Sequence, residues 1–293
     1  MKKCSRQPGA KKKRQRRSDA GTIVWTARDE FALTWIAHQY GMRLDHVQLL
    51  LGRGAAHDNE ISEGAARDVV TRWKRAGWVH TERIRASEPF WVWPTYLGLR
   101  KIGLPYTYRD LAQSSLHDLG HLYAINEIRF HLVDEREGTQ WISERQLLQG
   151  ILHGKGRELL HRPDAHIRYA DGAIIAVEAE LSVKKPFELA ENLMELLRGE
   201  EYLRLKSEYG AHTACVMSQG CQSQYTEIWY FAPKTVRRHV WRECARLVQR
   251  GDVSKEEARR LFVWWYPLTK SDKEIAQEEQ ENDEILALLD QEE

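Results

Sequence analysis

The chain has 293 residues, 42% of them apolar and 30% charged, and a formal net charge of +1. That length suffices for two domains and at least one sizeable core. No apolar run reaches the roughly 20 residues of a membrane span, and no apolar secretory segment opens the chain, so a cytoplasmic protein without a membrane partner is expected.

The small net charge conceals a polarity. Residues 1–17 hold nine Lys or Arg and no acid, with Lys11, Lys12, Lys13 and Arg14 in one run. Residues 1–24 read as a disordered basic arm suited to salt-sensitive phosphate-backbone contact. The same block also reads as a solubilising tail. At the other end, residues 269–293 form an acidic tail with Glu278, Glu279, Glu281, Asp283 and Glu284 clustered. Cys4, Cys215, Cys221 and Cys244 lack CxxC or zinc-ligand spacing, so free thiols in a reducing compartment are expected.

Between the tails the pattern divides near residue 110. After Thr26, the residues Phe31, Leu33, Ile36, Ala37 and Tyr40 recur at helical spacing, with Asp29 and Glu30 in the first turn and Gly41 as the stop. Leu44, Val47, Leu50 and Leu51 mark a second helix ending at Gly52. Ser62 caps a third that runs through Val69, Val70 and Trp73 to Gly77. Two β-rich runs follow, Trp78–Thr81 and Phe90–Trp93, separated by a polar turn with Arg83 and Arg85.

Three short helices followed by a hairpin predict a winged helix-turn-helix over residues 25–110, its third helix lying in a DNA major groove. That helix offers Arg67, Thr71, Arg72, Lys74 and Arg75 to phosphates or base edges, with Arg83 and Arg85 on the wing. A winged helix used for protein contacts is the alternative, since fold does not fix function.

Residues 111–268 predict an α/β core. A helix over 115–136 carries Leu119, Leu122, Ile125, Ile128 and Leu132 as its apolar stripe, with Glu127 on its flank. Strands follow at Trp141–Glu144, Arg162–Tyr169 and Ala173–Leu181. Pro186 opens a long helix to Gly210. Thr213–Met217 and Glu227–Phe231 read as strands, Val236–Val248 as a helix, and Leu261–Tyr266 as an edge strand.

The chemistry concentrates in Arg162-Pro163-Asp164 and, past the turn at Asp171-Gly172, in Val177-Glu178-Ala179-Glu180. Alternation on a strand places Glu178 and Glu180 on one side, where Asp164 can join them from the neighbouring strand. Such a cluster suits a hard divalent cation, Mg²⁺ or Mn²⁺ in its place, and so phosphodiester chemistry. Taken alone, the same acids also read as a solvated strand end or as partners for Arg145, Arg162 or Arg168.

His117 and His121 share a helix face at the spacing of a zinc peptidase pair, but Asp118 stands where that motif needs Glu; packing or DNA contact explains them better. No phosphate-binding Gly-rich loop is present, so ATPase chemistry has no support. Most of the eleven tryptophans read as core or wing residues.

The order helix, three strands, helix, strand, with Pro-Asp and Glu-x-Glu on the strands, resembles the PD-(D/E)xK nuclease core of restriction endonucleases. The whole of residues 25–265 resembles the replication-relaxation family of plasmids and integrative conjugative elements. The residues that carry this are Thr26-Ala27-Arg28-Asp29, the stretch from Arg72 to Gly77, His121 to Glu127, Trp141 to Arg145, Arg162-Pro163-Asp164 and Val177 to Leu181.

The resemblance implies an α+β protein overall, with a winged helix-turn-helix before a restriction-endonuclease-like α/β core. It implies Asp164 and Glu178 as ligands of Mg²⁺, with Glu127 completing or orienting their shell. Glu180 stands where the superfamily usually has a lysine and would act as the base. Lys184 lies four residues further, roughly 13 Å along an extended strand, so a lysine role there needs a bend.

The expected partners are double-stranded DNA of a mobile element and replication or transfer proteins. Two readings stay open: a metal-dependent endodeoxyribonuclease, or a non-catalytic replication, transfer or transcription factor whose nuclease-like core is a scaffold or a protein dock.

Overall fold

The computed structural model describes residues 23–53, 60–133, 138–152, 162–268 and 280. Nearly all of the basic arm and of the acidic tail lie outside them.

The first module begins with α1 (Ala27–His38), β1 (Met42–Arg43), α2 (Leu44–Arg53) and α3 (Glu63–Arg75). The hairpin β2 (Val79–Glu82) and β3 (Trp91–Pro94) follows, and then α4 (Tyr96–Lys101). The sheet order is β1-β3-β2, all antiparallel, with Met42 opposite Val92 and Thr81 opposite Val92 on the other edge. This is a winged helix-turn-helix. Its core gathers Leu33, Ile36, Val47, Leu51, Val70, Trp73 and Val92.

One buried carboxylate holds this module together. Thr26 caps α1 in a reciprocal box with Asp29, its hydroxyl donating to Asp29 Oδ2 at 2.8 Å and accepting from the Asp29 amide at 3.2 Å. Asp29 is fully buried, and across the core it accepts from Trp73 Nε1 at 2.7 Å and from Arg72 Nη1 at 2.9 Å. Burial alone would raise the Asp29 pKa; the bonds from Arg72, Trp73 and Thr26 outweigh it and hold the carboxyl below its ordinary value.

Gly41 does not end α1 through a positive φ; Tyr40 takes that conformation instead, at φ 64°. Gly41 is required by crowding, because a Cβ there would stand 2.3 Å from Leu111 Cδ1.

The second module is built on a five-stranded sheet in the order β4-β5-β6-β7-β8. A 3-10 turn (Leu111–Gln113) leads into α5 (Leu116–Leu132), capped by Ser115 and Asp118. Next come β4 (Gln140–Ser143), α6 (Glu144–Leu152), β5 (Ala165–Arg168) and β6 (Ile174–Ala179). The chain continues through α7 (Pro186–Arg198), α8 (Glu200–Tyr209), α9 (Ala211–Met217), β7 (Glu227–Ala232), α10 (Lys234–Gln249), α11 (Lys255–Ala258) and β8 (Leu261–Trp265).

β4, β5 and β6 run antiparallel; β7 and β8 run parallel to β6. The whole chain is α+β. The alternation of β6 decides its packing. Ile175, Val177 and Ala179 meet Ile125 and Ile128 of α5, whereas Ala176 on the other face joins the cluster of Leu193, Leu197, Tyr230 and Val240.

Two sequence expectations are corrected and one helix is added. Thr213–Met217 is helical, within α9, not a strand; its Ala214 and Cys215 pack into the helical side of the core. The single helix expected from Pro186 to Gly210 is two, broken at Gly199, whose φ of 67° favours glycine. α6, which follows β4 directly, was not anticipated at all. Among the described residues no helix is long and apolar enough to cross a membrane.

Removing the Arg72 guanidinium leaves Asp29 buried without its charge partner. Arg72→Ala is expected to cost about 3 kcal/mol, and Arg72→Ala with Asp29→Asn less than the single change, read from urea denaturation of both variants. An Arg72→Ala loss within about 0.5 kcal/mol, the range of ordinary surface changes, would contradict the role given to this pair.

Candidate active site

A cavity of about 340 Å³ lies at the sheet end where β6 finishes, between the start of α5 and the segment leading to α7. Asp164 immediately precedes β5, whose Ala165 pairs with Val177 of β6. Glu180 follows Glu178 two residues later, its amide still donating to Phe231 O at 2.9 Å. All three carboxylates line the cavity, and Glu178 and Glu180 are only 4% and 5% exposed.

Two cations are built into this acidic group. His121 Nε2 is 3.1 Å from Asp164 Oδ2, and the same oxygen accepts from the Ala179 amide at 2.8 Å. The Asp164 charge, opposed by burial and helped by Glu178 and Glu144, lifts His121 to about 9, so the imidazole is protonated at neutral pH. Burial raises Asp164, but His121, the Ala179 amide and Lys184 outweigh it and hold the carboxyl low.

Lys184 Nζ lies 2.5 Å from Glu180 Oε2. Burial works against its charge, yet Glu178, Glu180 and Asp164 together raise its pKa. The distance argument against Lys184 from the sequence is corrected here. β6 ends at Ala179 and the chain bends around Ser182, so the lysine returns to the strand end.

Glu127 is not brought into this group. Its carboxylate accepts from the Tyr266 hydroxyl at 2.8 Å, and it is not among the cavity residues, because on α5 it lies off the face that carries His121 and Ile125. Conversely, no site role was expected for Glu144, Arg109 or Tyr40, all of which line the cavity. Burial and the nearby Asp164 raise the Glu144 pKa. The pairing of His121 with Asp164 was equally invisible, since the two are 43 residues apart.

On α3, Arg67, Thr71, Lys74 and Arg75 are exposed and fall at i, i+4, i+7 and i+8, one face of the helix. Arg67 pairs with Glu63, and Lys74 Nζ donates to Thr81 Oγ1 at 3.0 Å. Arg72 departs from the sequence expectation, because its guanidinium is held by Asp29. On the wing, Arg83 donates to Ala86 O at 3.2 Å and Arg85 pairs with Glu88 at 2.9 Å. Lys11, Lys12, Lys13 and Arg14 lie outside the described residues.

Among the described residues no group of three or more His, Cys, Asp or Glu side chains is arranged to hold a metal ion. Mg²⁺ does not demand such a cage: it is commonly held by one or two carboxylates together with waters and substrate phosphate. Asp164, just before β5, and Glu178, on β6, both line the cavity and fit that minimal set.

No family model matches the chain, and no curated protein does. Among solved structures, restriction endonuclease FokI is similar at 12% identity and a TM-score of 0.25. The match covers 80% of this chain and 45% of that one, so the chain spans less than half of the FokI chain. A likeness of that size fixes neither fold nor function.

Lys184→Met is expected to lower stability by about 2 kcal/mol, because it strands the buried Glu180 carboxylate. Adding Glu180→Gln should restore most of that loss in a double-mutant cycle followed by thermal melting. Strictly additive losses would contradict direct pairing.

Proposed function

We propose that the chain is a DNA-binding protein whose second module cleaves a phosphodiester bond. The observation that carries this reading is the gathering of Asp164, Glu178, Glu180 and Lys184 in one cavity at the end of a mixed sheet. Asp164 and Glu178 would hold Mg²⁺, or Mn²⁺, which when bound supplies Lewis acidity to an attacking water and to a phosphoryl oxygen.

The chain's own residues take the other tasks. His121 and the Ala179 amide both bond Oδ2 of Asp164 and so fix its orientation. Glu180 accepts the proton as water oxygen attacks phosphorus and the P–O bond to the leaving sugar oxygen breaks. Lys184, kept charged by its acidic neighbours, faces the negative charge that grows on the phosphoryl oxygens.

The winged helix would position the substrate. Arg67, Thr71, Lys74 and Arg75 supply phosphate and base contacts from α3, and Arg83 and Arg85 contacts from the wing. The basic arm would add sequence-independent affinity. The sequence resemblance to replication-relaxation proteins supports a role in replication or transfer of a plasmid or integrative conjugative element, with replication or transfer proteins as partners.

A second reading is favoured by one feature. The carboxylates already carry internal cations, Asp164 with His121 and Glu180 with Lys184. A site neutralised in this way can serve as a non-catalytic scaffold.

Incubation with supercoiled plasmid separates the two. With Mg²⁺ or Mn²⁺ the wild type is expected to nick, with EDTA it is not, and Asp164→Ala and Glu178→Ala should each lose about a hundredfold or more in rate while still shifting DNA. Absence of cleavage in every metal, with DNA still bound, would select the scaffold.

A further inference from the structure

Building on the proposed phosphodiester chemistry, we infer that the cavity admits one unpaired nucleotide and excludes the paired duplex, with Arg109 and Arg162 gripping the strand's phosphate at the rim. Size is the first ground. About 340 Å³ is close to the lower end of small-molecule pockets, roughly 300–1,000 Å³. A duplex presents two strands across a major groove about 12 Å wide.

Depth is the second ground. Glu178 and Glu180 are 4% and 5% exposed, so the scissile phosphate has to come down to them. An extruded or single-stranded nucleotide brings its phosphate to that depth more readily than a paired backbone held in its helix. Leu111, Leu122 and Ile125 furnish an apolar wall for its base.

The two arginines are the third ground. Both line the cavity, and among the described residues both are only loosely paired. Arg109 stands 3.8 Å from Asp118, and Arg162 stands 4.0 Å from Glu144, at the limit of an ion pair. Among the described residues Arg162 Nε has no hydrogen-bond partner. By contrast, Arg198 is bonded at 2.7 Å to Glu257 and Arg145 at 2.7 Å to Ala37 O. A guanidinium facing a cavity with donors unspent suits the fork geometry of phosphate. Arg109 is also laid on the Tyr40 ring at 5.0 Å, which fixes its stem without using its donors.

The test measures binding of short fluorescein-labelled oligonucleotides by anisotropy, in EDTA, with the full chain. The substrates are a single strand, a blunt duplex, and a duplex with an unpaired overhang. Arg109→Ala/Arg162→Ala is compared with wild type after circular dichroism has verified its fold, and Arg75→Ala serves as a control on the winged helix.

The double variant is expected to weaken the single strand and the overhang about tenfold or more and leave the blunt duplex unchanged, with Arg75→Ala doing the reverse. Equal dependence of the blunt duplex on Arg109 and Arg162, or undiminished single-strand binding in the double variant, would overturn the inference. Cleavage in Mg²⁺ then separates the two claims. Unpaired strands bound through these arginines but never cut would leave the inference standing and sink the nuclease reading. Blunt duplex cut as fast as the overhang substrate would do the opposite.

Discussion

The arrangement of the cavity depends on Arg145. This residue is the second of α6, next to Glu144, yet its guanidinium reaches into the first module, donating to Ala37 O at 2.7 Å and Thr107 O at 2.6 Å. It lies 4.5 Å from the Tyr40 ring and 4.4 Å from the Tyr106 ring. At 4% exposure, burial lowers its pKa to about 10. A buried charge costs several kcal/mol unless its donors are satisfied, and here the acceptors belong to the other module. The modules are therefore fixed in one relation. Asn126 donating to Gly41 O at 3.1 Å, and Trp35 stacked on Phe130 at 4.5 Å, hold the same interface further along α5. Through it Tyr40 and Arg109 face the carboxylates of a different sheet.

The second constraint is charge compensation at depth. Three carboxylates at one sheet end repel each other in a low-dielectric setting, and the fold answers with His121 from α5 and Lys184 from the bend after β6. Proton and ammonium occupy the space of a divalent ion's charge. On the proposed reading, a cation arriving with its substrate phosphate would compete with them, and metal occupancy would follow substrate. The same two cations sustain the scaffold reading when no metal arrives.

Much of this was legible in the sequence, and the exceptions are physical. Caps and periodicity located α1, α2, α3, α5 and α10 to within a few residues, because Thr26, Ser62 and Ser115 satisfy helix-terminal amides locally. The hairpin carrying Asp164, Glu178 and Glu180 was readable from alternation and a glycine turn. α9 was misread as a strand because Thr213, Cys215 and Val216 favour extended structure locally, while tertiary packing made them helical. Arg72 was misread because a sequence shows charge but not the buried carboxylate across the core that claims it. Lys184 was discounted on strand length, since the end of β6 at Ala179 cannot be seen in composition. Contacts of long separation, such as His121 with Asp164 and Arg145 with Ala37, leave no periodic trace.

The most direct test is Mn²⁺ binding to the full chain, followed by electron paramagnetic resonance of the free ion, alone and with a short non-cleavable phosphorothioate strand. Binding at one site, tightened by the strand and abolished in Asp164→Asn and Glu178→Gln variants that remain folded, is the predicted result. Binding that is absent with and without the strand, or that persists unchanged in both variants, would contradict the assignment of these carboxylates as a metal site.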